Sequence, residues 1–423
     1  MNYFSTNRQA PVADFREAVF KSLPSDNGLY FPEEIPDLSD IPFKGLSLQE
    51  IGYEVMKPFV GGALTSEQLL QITYEAFNFE IPAVKVEDAI YSLELFHGPT
   101  YAFKDVGARF LARCLGRFTE SMDDEITILV ATSGDTGGAV ASGFYQVPGV
   151  NVVILYPSGK VSELQEKQLT TLGGNVTALE VDGTFDDCQH LVKQAFLDEQ
   201  LNREMNLSSA NSINIARWIP QSIYYFWATN QFDTEDLVVS VPSGNYGNLA
   251  AGILAKKMGA PIKRFIASCN LNDVVPRYLN SGAYEPHPTI QTYSNAMDVG
   301  KPSNFPRILE LYGGDFQQII KEIEGDKVDD SKTLHAIKDC WEQHQYVLDP
   351  HGAIGYTLLQ DHLKNGETGV FLETAHPCKF LPVVSMAIKD YQVPEFTRSL
   401  LAKEKAATKI SADYAQVKEF ICS

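Results

Sequence analysis

The stretch that decides the fold is Leu95-Phe-His-Gly-Pro-Thr-Tyr-Ala-Phe-Lys-Asp105. Gly98 and Pro99 are turn chemistry, a free backbone followed by a fixed φ. Upstream, residues 90–96 read as a short apolar strand. Downstream, Phe103, Val106, Phe110, Leu111, Cys114 and Leu115 recur at helical spacing. Lys104 therefore falls at the mouth of a helix, behind Ala102 and Phe103. Apolar neighbours can desolvate its amine, lower its pKa from about 10.4, and make it a Schiff-base former or proton carrier. A surface lysine paired with Asp105 fits the same local sequence.

Two strand–glycine loop–helix units lie further along. In the first, the apolar strand 125–132 runs into Ser133, Gly134, Asp135 and Thr136, then Gly137-Gly138 and a small-residue helix over 139–145. That arrangement aims backbone N–H groups and a helix's positive end at an anion. A simple tight turn accounts for the glycines equally well. In the second, strand 237–241 leads into Ser243, Gly244, Asn245, Tyr246, Gly247 and Asn248 before helix 249–258, a phosphate cradle by geometry. It is neither Gly-x-Gly-x-x-Gly nor a Walker loop, since no lysine closes it, which excludes dinucleotide and nucleoside-triphosphate readings. A third strand, 369–373, ends in Thr374-Ala-His-Pro-Cys-Lys-Phe380.

Strands 151–156 and 176–181 alternate with helices 161–172 and 185–200, so a small parallel α/β domain is expected over about 111–209. Residues 1–83 hold short amphipathic helices (14–23, 48–59, 66–77) and no catalytic constellation, which suggests an appended packing domain. Residues 84–110 and 210–400 would form a large cofactor-binding domain, and 401–423 a charged helical cap. A break is expected at 120–124, and helices over 316–325, 331–344 and 354–363. The fold class is α/β, with two open parallel-sheet domains around a cleft. Ligands in such sheets bind beyond the carboxyl ends of the strands.

Several cations could serve an anion. Arg217 follows the amide-rich Ser-Ser-Ala-Asn-Ser-Ile-Asn-Ile segment, and a guanidinium fork suits a phosphate, though an interdomain salt bridge is an equal alternative. Lys301 and Arg307 sit in a proline-bearing polar loop. Lys160 follows a strand and turn, and Lys379 follows the third strand; each could face a cleft or cover a surface.

The chain has 423 residues, too many for one core, and carries a net charge of −20. That acidity disfavours nucleic-acid and anionic-membrane partners. Its six scattered cysteines contain no Cys-x-x-Cys pair, and its eight histidines no His-Glu-x-x-His, so neither a disulfide framework nor a metal site is expected. No signal-peptide region opens the sequence and no run is long and apolar enough to span a membrane, which fits a cytoplasmic protein.

The Lys104 stretch, the Ser133–Gly138 loop, the Ser-Asn-Ala-Met-Asp298 segment, the Gly-Asn-Tyr-Gly-Asn248 loop, the Thr374 strand end and the amino-terminal Ser-Asp-Asn-Gly-Leu-Tyr-Phe-Pro32 all resemble threonine synthases of bacterial and fungal type. The resemblance runs along nearly the whole chain. It implies the pyridoxal-phosphate fold shared with tryptophan synthase β, in which the lysine matching Lys104 carries the cofactor. The 244–248 loop would then hold the cofactor phosphate, and Thr374 would meet the pyridine nitrogen. The Ser133–Thr136 loop would hold the substrate carboxylate. Asp135 departs from the asparagine that many relatives carry there. The implied reaction turns O-phospho-L-homoserine and water into L-threonine and phosphate, with Arg217, Arg307 and Lys379 as candidates to hold the leaving phosphate, in a monomer or homodimer. Two rivals share these features: a dehydratase or phospho-lyase on the same fold that makes a keto acid, and a non-enzymatic binding module with a degenerate site.

Overall fold

The computed structural model of the protein describes residues 1–120, 122 and 125–422, and residues 202 and 203 by their backbone. The break expected at 120–124 lies largely outside the described residues. At the amino terminus β1 (Asn2–Ser5), β2 (Ala13–Asp14) and β3 (Tyr30–Pro32) pair antiparallel in the order β2-β1-β3. The helix Phe15–Lys21 starts where the Asp14 side chain accepts the Glu17 N–H. Helices Leu48–Val60 and Ser66–Ala76 start at capping boxes, Ser47 with Glu50 and Thr65 with Gln68, which satisfy backbone donors that a helix start leaves free. Their buried faces, with Ile51, Val55, Phe59 and Ile72, join one continuous core with Phe110, Trp218 and Ile253.

The remaining strands build two sheets. They are β4 (Ala83–Glu87), β5 (Ile90–Glu94), β6 (Ile126–Ala131), β7 (Val150–Pro157), β8 (Val176–Asp182), β9 (Asn206–Ser208), β10 (Leu237–Pro242), β11 (Arg264–Cys269), β12 (Ile323–Lys327), β13 (Thr368–Glu373) and β14 (Thr408–Ser411). The first sheet has the order β12-β11-β10-β13-β5-β4, parallel except for the antiparallel edge strand β4. The second has the order β14-β8-β7-β6-β9 and is parallel throughout. Strands β6, β10 and β11 are buried along their whole length, which is why they read as unbroken apolar runs.

Several elements depart from expectation, among them the helix expected from 354, which begins at Pro350. The helix expected from 139 begins four residues earlier, as Asp135–Phe144, because the Thr132 hydroxyl accepts the Gly134 and Gly137 N–H groups at 2.9 and 2.8 Å and so organises its first turn. The helix expected over 316–325 ends at Glu322, and β12 follows it onto β11. The segment expected as a helical cap over 401–423 instead supplies β14, which pairs with β8 and completes the second sheet, before the helix Tyr414–Cys422. Only four residues make that strand (Thr-Lys-Ile-Ser), too few to show a period.

Candidate active site

The turn before Lys104 is pinned from inside. Asp105 is buried and accepts from the Thr100 N–H (2.8 Å) and hydroxyl (2.6 Å). It does not pair with Lys104. Gly98 has no alternative here, since a Cβ would lie 2.5 Å from Asp105 Oδ2. Tyr101 takes a left-handed backbone, φ +58, a cost a non-glycine residue bears only where its surroundings dictate it. The Phe103 N–H donates to the Thr374 carbonyl at 2.8 Å, and Ala102 bridges Ala375. Lys104, the first residue of helix Lys104–Thr119, is thereby tied to the end of β13.

Its amine faces Asp135, Nζ to Oδ2 3.8 Å. Burial lowers the Lys104 pKa, Asp135 opposes this, and the cations of Lys379 and Arg217 lower it further; the net direction is down. For Asp135 burial pushes up, but Lys379 and Lys104 outweigh it, and the carboxyl stays below the usual range. Lys379 reaches Asp135 Oδ1 at 2.8 Å and donates to the Thr100 carbonyl at 2.8 Å. Gln165 Nε2 donates to the same Oδ1 at 2.8 Å.

Lys104 opens onto a cavity of about 1220 Å³ between the two sheets. Its walls include Ser133, Asp135 and Thr136 from one side, Ser243 to Asn248 from the other, and Thr374 at the β13 end. Gly134 lies behind this wall at φ +139, its α-carbon packed so closely that a Cβ would lie 2.5 Å from the Gln165 amide. The second loop turns into helix Gly247–Lys257 through Tyr246 at φ +60. Gly244 packs directly on the backbone of Ala296 and Met297. Asn248 accepts from the Tyr225 hydroxyl through its Oδ1 (2.8 Å), while its buried Nδ2 has no partner among the described residues.

The cations separate. Arg217 lines the cavity, nearly buried, with one guanidinium nitrogen on the Ala210 carbonyl and Nε without a partner among the described residues; burial pushes its pKa down to about 10. The expectation for Arg307 is corrected. It does not line the cavity, and its guanidinium is spent on the carbonyls of Ser212 (2.9 Å) and Ile213 (2.6 Å), on Asn304 Oδ1 (2.6 Å) and on the face of Trp218. Lys379 is corrected likewise: its side chain is fully buried behind Asp135, whose carboxylate holds it away from the cavity. Lys160 and Lys301 do line the cavity and are exposed.

Sequence reasoning missed several wall residues. Pro24, Ser25, Asn27 and Tyr30 bring the amino-terminal region into the cavity wall, so that region does more than pack. Asp298, in the segment the resemblance singled out, lines it too, pushed up to about 6 by burial against the hydrogen bonds of Thr292 and Asn270. His351 holds Asp349 Oδ1 through Nδ1 (2.5 Å) and accepts the Ala296 N–H through Nε2 (3.2 Å). The Asp-Pro-His351 order at a helix start was the available signal; the contact with residue 296 was not.

Three family models match: "Threonine synthase N terminus" over 2–77, "Pyridoxal-phosphate dependent enzyme" over 78–374 and "Threonine synthase, C-terminal" over 352–421. The chain is 45% identical to threonine synthase of Haemophilus influenzae, over 100% of this chain and 99% of that one. The chain belongs to the threonine synthase family. The crystal structure of threonine synthase from Escherichia coli superposes with a TM-score of 0.93 at 42% identity, covering 100% of this chain and 99% of that one. The structure of pyridoxal-phosphate-bound threonine synthase from Brucella melitensis gives 0.94 at 35% identity, covering 100% and 98%. The threonine synthase matches span both ends, so the amino-terminal sheet and β14 belong to the family's architecture. Within it, the arrangement is a fold-type II pyridoxal-phosphate enzyme with an appended amino-terminal region.

Proposed function

We propose that this chain converts O-phospho-L-homoserine and water to L-threonine and phosphate, with pyridoxal phosphate as its cofactor. The observation that carries the reading is the Lys104 amine, desolvated and opposed to a carboxylate, at a cavity closed by two glycine loops that each open a helix. The cavity suits a planar phosphorylated cofactor. The Gly244 loop admits no side chain beside the backbone it packs on, the helix it opens has unpaired N–H groups, and Asn248 Nδ2 is a buried donor without a partner among the described residues. In this reading Gly244, Asn245, Tyr246, Gly247 and Asn248 hold the cofactor phosphate. Thr374 meets the ring, where a hydroxyl, unlike a carboxylate, leaves the ring near neutral.

When bound, the cofactor draws electron density from the substrate's carbon skeleton. The protein's groups do the rest. Lys104 would hold the cofactor, and its amine would take the Cα proton and move protons at Cα and Cβ as phosphate leaves Cγ and water adds at Cβ. A neutral amine is required for this, and burial shifts Lys104 in that direction. Ser133 and Thr136, with the first-turn amides of helix Asp135–Phe144, orient the substrate carboxylate and so the Cα–H bond. Thr132 already engages the Gly134 and Gly137 amides, which leaves the amides of Asp135 and Thr136 for this purpose. Arg217 is the buried cation assigned to the leaving phosphate, with exposed Lys160 and Lys301 drawing the anionic substrate in. We assign the enzyme to the cytoplasm; its six free thiols are in keeping with that.

The test follows phosphate and threonine together after O-phosphohomoserine is added to cofactor-loaded protein, with Lys104→Ala alongside. Equal release of both, abolished in the variant, is expected. Phosphate accompanied by a keto acid instead of threonine would refute the reading.

A further inference from the structure

Asp135 presents its two oxygens unequally. Oδ1 takes both Lys379 Nζ (2.8 Å) and Gln165 Nε2 (2.8 Å), while Oδ2 is left toward Lys104 Nζ at 3.8 Å. The three partners come from different parts of the fold. Asp135 opens the helix after β6, Gln165 lies in helix Glu163–Thr170, and Lys379 lies in the short turn after β13. Lys379 is further fixed by the Thr100 carbonyl, which also accepts from Gln168 Nε2 at 3.0 Å. Thr100 is the residue that holds Asp105 in the Lys104 turn. A fully buried lysine with one carboxylate and one carbonyl is costly unless its charge is used or matched.

We propose that Lys379 and Gln165 are positioning residues that clamp Asp135, and that the clamped Asp135–Lys379 pair sets the charge of the Lys104 amine. The proposal rests on the reading of Lys104 as the cofactor lysine. The electrostatics are simple. An ionised Asp135 alone would hold Lys104 as an ammonium, which cannot add to an aldehyde. Lys379 alone would be a second buried cation beside it. Together they oppose one another at Lys104, so the amine answers chiefly to its burial, which favours the neutral form. The charged groups facing Lys104 are Asp135, Lys379, Arg217 and Asp349; removing one of the first two tips the balance in a definite direction. A pair that merely staples the second sheet's helix to the β13 turn would carry no such sign.

The readout is the pH midpoint of the Lys104 nitrogen, obtained in two ways. In cofactor-loaded protein, where the cofactor is joined to that nitrogen, the midpoint of the visible absorbance change reports its proton in the joined form, and the facing charges act on it with the same sign. In the apoprotein the readout is the pH profile of Lys104 acylation by a small amine reagent, read by peptide mass. Asp135→Asn removes the facing carboxylate and is expected to lower both midpoints by about one pH unit or more, a tenfold change in protonation. Lys379→Met removes the opposing cation and is expected to raise them by about as much. The charge-neutral double variant Asp135→Asn/Lys379→Met buries no unpaired charge, and its midpoints are expected between those of the single variants. Should Lys379→Met not fold, the double variant compared with Asp135→Asn carries the same sign, upward. Shifts in the same direction for both single variants, or none in either, would overturn the proposal. An absence of cofactor absorbance in the native protein would instead strike the cofactor reading, and the acylation profiles would still decide the clamp.

Discussion

Gly244→Ala probes the loop assigned to the cofactor phosphate. The new Cβ would lie 2.7 Å from Met297 Cα and 3.1 Å from Ala296 O. Non-bonded carbons rest about 3.5–4.0 Å apart, so one side must withdraw by roughly 1 Å. Both obstacles are backbone, and both are held. The Ala296 N–H donates to His351, the Met297 N–H to the Ser294 carbonyl at 2.9 Å, and Met297 is buried. The 244 loop is therefore the side that moves. Overpacking of this kind costs about 1–3 kcal/mol. Charged against cofactor binding, that weakens affinity about 5- to 150-fold, since about 1.4 kcal/mol is tenfold. The assay is an equilibrium titration of apoprotein with pyridoxal phosphate, followed by visible absorbance, with far-UV circular dichroism to confirm folding. Gly138→Ala is the control: its Cβ would meet the Gln168 side chain at 3.2 Å (Oε1) and 3.4 Å (Cβ), contacts that need only a few tenths of an ångström of give. Cofactor affinity in Gly244→Ala within about a factor of two of the native value would refute the packing argument, because it would mean a cost under about 0.4 kcal/mol.

Arg217 and Arg307 should fail differently. Arg217→Lys keeps the charge in the cavity but loses the fork, and the KM for O-phosphohomoserine should rise about tenfold with the fold intact, as initial rates would report. Arg307→Ala strips partners from the Ser212 and Ile213 carbonyls and should cost at least ~2 kcal/mol in urea unfolding. Thr374→Val removes the strand-end hydroxyl but not the carbonyl that receives the Phe103 N–H, so kcat should fall about tenfold, the worth of one hydrogen bond to a charged or polarised group, without loss of folding. Glu367 gives an acid limb to stability. Burial alone would raise its pKa, but Arg264, bonded at 2.6 Å, outweighs this and holds it at about 2. The folded value lies below the unfolded one, so the stabilisation is complete above the unfolded pKa and is lost as pH falls toward 2. It amounts to about 3 kcal/mol against an unfolded value of about 4.3. Urea melts from pH 6 down to pH 2 should show that limb in the native chain and a flatter one in Glu367→Gln.

The motif-bearing parts were legible because each combines a buried strand with glycine-permitted turns. Residues 126–144 and 237–257 each carry a strand–loop–helix unit in adjacent sequence, and their loops line the cavity, although the first helix starts at Asp135 and not at 139. What a long cation faces was not legible. Arg307 and Lys379 were placed beside the right loops, yet their direction depends on partners far away in sequence, Ser212 for one and Asp135 for the other. Short edge strands escaped for a related reason. Strands β9, β12 and β14 hold few residues and are defined by the neighbour they pair with, not by their own periodicity. The amino-terminal wall residues Ser25 and Asn27 sit in a turn whose sequence says only that the chain reverses there.

The pairing of β14 with β8 has a consequence for the birth of the chain on the ribosome. Leu179 waits for Thr408, and at about 5–20 residues per second that wait is roughly 10–45 s. Through it the second sheet keeps one edge of unpaired N–H and C=O groups, and Glu180 lacks the Lys405 ammonium that later sits 2.7 Å away. The apolar patch of Cys188, Leu191 and Val192 is also uncovered until Val417 and Ile421 arrive. A nascent chain stalled or cut before residue 405 would present all three at once, a sticky edge on a molecule whose glycine loops and lysine have already been made.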